Sequence, residues 1–216
     1  LVCQIGGVNY GKTQGSVTGN GALVSFEARP GSHGNIGSAK ISLLRAAGGA
    51  YAIVSRARVR IVLVNDATNI ASAILFDGFV ATDARWAQIG LDAWYCDVEC
   101  SDLNILFDWI RISADDFGIA SGGETTYGNQ LLRIYRKATL NSFSGSPTID
   151  PITQNSLFGT TGLPAFTGLK GSLGELTKKI SDNLNGVHPT VFPRYYLRSE
   201  LSGSAGVYTS GPVLAA

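Results

Sequence analysis

The sequence predicts a mainly β protein with a smaller α+β part: an N-terminal antiparallel domain, β-barrel- or sandwich-like with a short packed helix, followed by a helix-strand domain. Alternating apolar and polar residues recur through the N-terminal half, and turn residues separate the runs, 27 of the 216 positions being glycine. Helical spacing of apolar residues begins only after Ser101. A hydrophobic content of 44% against 15% charged residues supplies core for one large β domain or two small ones.

The first element spells a catalytic motif. "IGGVNYGKTQ" (Ile5–Gln14) matches G-x-x-x-x-G-K-[ST], with Gly6, Gly11, Lys12 and Thr13 at the phosphate-loop offsets. That site works only when a strand enters the loop and a helix leaves it, because the helix N-terminus and the loop amides bind the phosphates. Here "QGSVTGNGALVSFEA" comes next, with glycines at 15, 19 and 21 and then β alternation. The runs "AILFD" and "NILFD", ending at Asp77 and Asp108, lack the crossover helices of a parallel nucleotide-binding sheet. A glycine-rich β-hairpin near the first strand is expected instead.

The subsequent strands announce themselves by alternation. In "ALVSFEAR", Val24, Phe26 and Ala28 share one face and Leu23, Ser25 and Glu27 the other; in "AKISLLRA", Ala39, Ile41 and Leu43 oppose Lys40, Ser42 and Leu44. "SRARVRIVLV" alternates Arg56, Arg58 and Arg60 with Ala57, Val59 and Ile61, then turns apolar on both faces to Val64. "SAILFDGFVAT" (Ser72–Thr82) is interrupted by Gly78, which marks a bulge or a close backbone approach. In "AWYCDVECSD", Trp94, Cys96, Val98 and Cys100 take one face and Tyr95, Asp97, Glu99 and Ser101 the other.

At "CSDLNILFDWIRIS" the period changes. Ser101 or Asp102 can cap, and Leu103, Leu106, Phe107 and Ile110 recur at helical spacing, so one short helix packed on the sheet is expected. "SADDFGIASGGETTYG" reads as a boundary loop, which divides the chain into a barrel-like domain over residues 1–113 and an α+β domain over 114–216. In the second domain "NQLLRIYRKAT" reads as a modest helix, and Ser142–Gly168 as irregular with three prolines. A firmer helix runs from Leu173 to about Leu184, with Leu173, Leu176, Ile180 and Leu184 on one face, a Ser172/Glu175 capping box, and Asn185–Gly186 as the stop. "TVFPRYYLR" reads as an edge strand because of Pro193, and "GSAGVYTSGPVLAA" as a C-terminal arm.

Seventeen basic and 16 acidic residues leave a formal charge of +1, which argues against a nucleic-acid clamp and an electrostatic membrane anchor. No apolar run approaches the ~18 residues of a membrane span, and no charged and then apolar leader opens the chain, so a soluble, unsecreted protein without a membrane anchor is expected.

Few residues are placed to do chemistry. The two histidines, His33 and His188, sit in loop-like contexts without companions for a relay or a metal cluster. No G-x-S-x-G elbow nominates a serine. The pairs Asp115/Asp116 and Asp97/Glu99 are read as solvated charges. The three cysteines, Cys3, Cys96 and Cys100, are too few for a disulfide framework, and the strand places Cys96 and Cys100 roughly 13 Å apart, so buried core thiols are expected. Arg56, Arg58 and Arg60 lie at intervals of roughly 6.6 Å, a spacing suited to phosphates or an acidic edge, and are read as a solvated face or a subunit contact. No catalytic, cofactor-binding or metal-binding residue is nominated.

The order of elements resembles the tail hub proteins of long-tailed bacteriophages and related injection machines. "IGGVNY", "RARVRIVLV", "ILFDGFVATDARW" and above all "YCDVECSDLNILFDW" carry the resemblance; the family's recurrent Cys-x-Asp strand end followed by a leucine-rich helix with a later Asp falls on Cys100, Asp102, Leu106 and Asp108. "GSLGELTKKISDNL" with "FPRYYLR" resembles the helix-strand unit of the family's next domain. The likeness covers most of residues 5–113 and more loosely 127–197. It implies a non-enzymatic structural protein of the virion tail, without cofactor, assembled in the host cytoplasm. Its partners would be other copies of itself, in a homotrimer or other ring, and the tube, tape measure, distal tail and fibre proteins; specific nucleic-acid binding is not implied. The alternatives are a distal tail ring subunit or a carbohydrate-binding receptor module, for which Tyr195 and Tyr196 would line a groove, and, least favoured, a nucleotide-binding enzyme using Gly6–Thr13.

Overall fold

Two glycines open the fold. β1 (Val2–Ile5) runs into β2 (Val8–Thr13) through Gly6 and Gly7, whose φ angles are 55° and 85°. Both central positions of a two-residue type I′ hairpin require positive φ, which glycine adopts without Cβ strain. Ile5 and Val8 then face each other across the closed turn. The phosphate-loop spelling is thus a β-hairpin, with Lys12 and Thr13 inside its second strand.

The structure is a computed structural model that describes residues 1–13, 16–17, 20–31, 35–46, 53–65, 70–112, 130, 134, 148–149, 170–187, 196–198 and 213–215. It is mainly antiparallel β with a small helical part. The chain divides into two compact units, one of Leu1–Gly31, Ile36–Leu103 and Ser199–Thr209, the other of Ser32–Asn35, Asn104–Arg198 and Ser210–Ala216.

In the first unit the hairpin is continued by β3 (Ser16–Val17), β4 (Ala22–Arg29), β5 (Ser38–Ala46), β6 (Arg58–Asn65), β7 (Ile70–Val80), β8 (Ala87–Gly90) and β9 (Ala93–Asp102). The spatial order is β3-β2-β1-β6-β7-β9-β5-β4, with β8 joined to β9 as a branch. The sheet curls until its ends meet: the Gly11 N–H donates to Gly21 O at 2.9 Å, which ties β2 to the start of β4. Gly11 holds φ 95°, and a Cβ there would lie 2.9 Å from Leu1 O, so the closing contact needs glycine. The inner face buries Cys3, Tyr10, Ile41, Ile61, Val80 and Val98 among others, each from a different strand, in one core cluster. Burial of side chains of this size stabilises by about 1.5–3 kcal/mol each.

Alternation located most faces. On β9 Cys96, Val98 and Cys100 point inward and Asp97 and Glu99 outward; on β5 Ala39, Ile41 and Leu43 are buried. β4 differs. Its pairing with β5 steps from Leu23↔Leu43 to Ser25↔Ser42, leaving Val24 as the extra residue of a bulge and 56% exposed. Leu23 therefore joins Phe26 and Ala28 against the core, reversing the expected roles of Leu23 and Val24. The arginine row is also shortened: Arg56 has φ 64° and sits in a turn ahead of β6, where Ala57 N–H donates to Val54 O at 3.2 Å.

Gly78 is a close backbone approach. It pairs with Val59 of β6 on one side and Asp102 of β9 on the other, and a Cβ would fall well inside van der Waals contact distance of the Ser101 carbonyl oxygen.

A 3-10 turn (Leu103–Ile105), which starts at the last residue of Ile36–Leu103, leads into α1 (Leu106–Trp109) of the second unit, which buries Leu106 and Phe107 and has no side-chain cap. Asp102, expected as a cap candidate, turns its carboxylate to the Gly31 N–H at 2.8 Å within the first unit. β10 (Arg111–Ile112) pairs with β12 (Gly171–Ser172), and α2 (Leu173–Val187) comes directly after. Its capping box is formed: Ser172 N–H donates to Glu175 Oε2 at 2.7 Å and Glu175 N–H to Ser172 Oγ at 3.1 Å. Leu173, Leu176, Ile180 and Leu184 are buried on its inner face, and Gly174 lets the first turn approach Phe107. The helix runs three residues past Leu184, through Asn185 and Gly186. A third sheet sets β14 (Val213–Ala215) between β11 (Thr148–Ile149), parallel, and β13 (Tyr196–Arg198), antiparallel. The expected C-terminal arm is, over Val213–Ala215, a central strand. Of the helix expected at Asn129–Thr139, Gln130 and Ile134 are described, both helical and buried.

A Gly78→Ala variant should lose about 3 kcal/mol or more of unfolding free energy in urea, because one of the two strand backbones must move. Gly90→Ala, whose Cβ would meet Ala93 Cβ at an ordinary 3.8 Å, should stay within about 0.5 kcal/mol of the parent. Equal losses at the two positions would contradict the close crossing.

Candidate assembly surface

Several of the polar residues that the structure describes are engaged within the barrel unit. Arg58 and Arg60 point along one face of β6, as alternation requires, and converge on Asp77 of β7, which pairs with Arg60 in register. Arg58 Nη2 lies 2.8 Å and Arg60 Nε 3.2 Å from Asp77 Oδ2, and Arg58 Nε reaches Oδ1 at 3.0 Å. The Asp77 side chain is only 3% exposed. Arg58 thus grips the carboxylate with a two-pronged bond while Arg60 adds a second cation. The expected solvated row or subunit contact is, for these two arginines, an internal clamp between neighbouring strands.

A second network covers the outer face of β5 and β9. Asp97 stands opposite Ser42. It accepts hydrogen bonds from Tyr95 OH at 2.6 Å and Ser42 Oγ at 2.7 Å, and Lys40 Nζ is 3.0 Å away. The Tyr95 bond, then those from Ser42 and Lys40, hold the Asp97 carboxyl down at about 2. A carboxylate this acidic is a poor general base near neutral pH. Glu99, paired with Lys40 in register, completes the outer face.

The three cysteines are buried and free. Burial raises Cys3 and Cys100 to about 12, with Cys100 adding to the effect on Cys3 and Glu99 to that on Cys100. Cys96 rises to about 11, again mainly through burial. These thiols stay protonated and inert, as core residues rather than nucleophiles. Among the described residues no group of three or more His, Cys, Asp and Glu side chains is placed to hold a metal ion. His33, His188, Asp115, Asp116 and Tyr195 lie outside the described residues, and the Tyr196 side chain does as well.

The barrel unit also presents backbone edge and apolar side chains outward. β8 is exposed along its whole length and pairs with β9 alone. Ile89 in β8 is 61% exposed and Leu91, in the turn from β8 to β9, is 93% exposed. The β6–β7 hairpin exposes Leu63 and Leu75, the latter the extra residue where pairing steps from Ile61↔Phe76 to Val62↔Ile74. Open edges and exposed large apolar side chains are surfaces that soluble β proteins ordinarily cover by assembly or blunt with charge. Alternation gave the apolar character of β6 on both faces. It gave no signal for β8, whose "AQIG" is too short for a period. No described helix is long and apolar enough to cross a membrane.

No protein-family model matches the chain, and no curated protein matches its sequence. Solved structures do match. Over 99% of its length the chain is similar to the E. coli c3393 protein, a component of the type VI secretion system with structural similarity to the T4 bacteriophage tail proteins gp27 and gp5, with a TM-score of 0.52 and 11% identity. A 43 kDa tail protein of prophage MuSo2 from Shewanella oneidensis matches over 99% of the chain with a TM-score of 0.43 and 10% identity. The chain spans about half the length of each, covering 48% of the first and 53% of the second. The likeness to the secretion-system component is one of fold.

Asp77→Asn should cost about 3 kcal/mol in urea unfolding, because it leaves two half-buried guanidinium groups without their counter-charge. Glu27→Gln, which removes an exposed pair with Arg29, should leave stability unchanged. Equal stability of both variants would contradict the clamp. Folding lowers the Asp97 pKa from a usual 3.8 to about 2, so its contribution is present above pH 3.8 and is lost as pH falls toward 2. The acid limb of the stability curve should therefore flatten between these values in Asp97→Asn. Native protein should react with iodoacetamide far more slowly than unfolded protein, which should take up one label at each of Cys3, Cys96 and Cys100.

Proposed function

We propose that this chain is a non-enzymatic structural protein of a phage tail or related injection machine, a hub or tip adaptor at the distal end of the tail tube. The observation that carries the reading is the fold likeness along 99% of the chain to a type VI secretion component itself similar to phage tail proteins. Of the hub-like motif, Cys100 and Asp102 fall on β9 of the barrel, and Leu106 and Asp108 on α1 of the second unit. Cys100 lines the barrel core, and Asp102 ties β9 to the loop after β4 through its carboxylate on Gly31 N–H and its own N–H on Gly37 O at 3.0 Å. Residues 1–113 act as the hub-like barrel and residues 114–216 as the second domain.

The physical support is the distribution of polar and apolar groups. Among the described residues Asp77 and Asp97 join their neighbouring strands through arginine, serine and lysine partners, whereas β8 and the side chains of Ile89 and Leu91 are exposed. In this reading the chain forms a homotrimer or other ring, closes the tube end, seats the tape measure and joins the distal tail and fibre proteins, within the virion tail after assembly in the host cytoplasm.

Mass photometry of the purified protein, with immunogold imaging of native particles, tests this. A ring or trimer in solution and label at the tail tip are expected. A stable monomer with no particle association would overturn the reading, as would label on the capsid.

A further inference from the structure

At one end of the barrel the inward-facing positions stop being apolar. On β5 Leu43 is followed two residues later by Arg45, and on β9 Cys96 is preceded two residues earlier by Trp94, the residue paired with Arg45. Arg45 is buried, 7% exposed, with its guanidinium 4.4 Å from the centre of the Trp86 ring, which in turn lies against Tyr10 with centroids 6.3 Å apart. Stacking on the indole face favours the cation but leaves its in-plane N–H donors unused. Nε and Nη1 are both buried and reach no hydrogen-bond partner.

Among the described residues no neighbouring group offers the missing charge. Arg45 belongs to no ion pair among the described residues. The Cys96 thiol beside it is pushed up to about 11 by burial and stays neutral. Asp97, next along β9, faces the opposite side of the sheet, where Tyr95, Ser42 and Lys40 hold it. A guanidinium with buried, unused donors is a costly thing to keep in a core unless something else completes it. Its forked donors fit a carboxylate best. Beyond Trp86 the chain exposes Ile89 in β8 and Leu91 in the turn that follows it.

We propose that the Arg45–Trp86 pair is a docking site for an acidic side chain of a partner protein, presented by a peptide segment. The proposal rests on the geometry at Arg45 and holds whether or not the chain is a tail protein.

The test is fluorescence titration of the full chain, with Trp86 as reporter, using Ac-Leu-Glu-Leu-NH2, Ac-Leu-Gln-Leu-NH2 and sodium acetate, on the parent, Arg45→Met and Arg45→Lys. Saturable binding of the glutamyl peptide is expected, weaker by about thirtyfold or more for the glutaminyl peptide and for Arg45→Met. Arg45→Lys, which keeps the charge but loses the fork, should fall between. Thermal unfolding should place Arg45→Met at or above the parent in the absence of peptide, because it removes an uncompensated buried charge. The proposal is overturned if the glutamyl peptide does not saturate, if the glutaminyl peptide binds equally, if both Arg45 variants bind as the parent does, or if acetate alone binds as tightly as the peptide. None of these outcomes depends on oligomeric state or particle location, which test the tail reading separately.

Discussion

The barrel hangs on the backbone crossing at Gly78. β7 pairs with β6 along its length and with β9 through its last residues, so it is the strand through which the β1–β2–β6 side of the sheet reaches the β4–β5–β9 side. Two backbones approach so closely at Gly78 that a methyl group has no room beside the Ser101 carbonyl. Around that crossing the chain concentrates strong interactions: Asp77 clamps two arginines of β6, Val80 N–H donates to Ala57 O at 2.9 Å, and Ala81 N–H to Glu99 O at 2.8 Å. Without the crossing the barrel would open between β7 and β9, with more free edge and less enclosed core.

The polar groups described near this crossing are held within the sheet. Asp77 holds Arg58 and Arg60 of the neighbouring strand, and Asp97 accepts from Ser42 and Tyr95 beside Lys40. At the N-terminal end of β9 the exposed β8 lies along one flank and Arg45 of β5 along the other.

Much of this was legible in the sequence, for reasons that can be named. The capping box at Ser172 and Glu175, the inward row Cys96, Val98 and Cys100, and the need for glycine at 78 are local patterns, and each was set by residues a few positions apart. The phosphate-loop spelling resolves once the β alternation beyond Thr13 is weighed against the helix that a phosphate site needs. Other features were hidden because they depend on pairing between distant segments. The bulge that turns Val24 outward comes from register with β5, the destination of Arg58 and Arg60 is an aspartate on another strand, and Val213–Ala215 becomes a central strand only beside β11 and β13. The stack of Arg45 on Trp86 had no signal at all, since neither residue's neighbours suggest the other.

The central claim is that β7 fuses the two sides of the sheet into one cooperative barrel. Native-state amide hydrogen exchange reads this residue by residue. The amides of Val80 and Ala81 should exchange only through global unfolding, with the same opening free energy as those of Ile61 on β6 and Val98 on β9. Distinct opening free energies for the β6 and β9 sides, with Val80 and Ala81 exchanging at the rate of the weaker one, would contradict it.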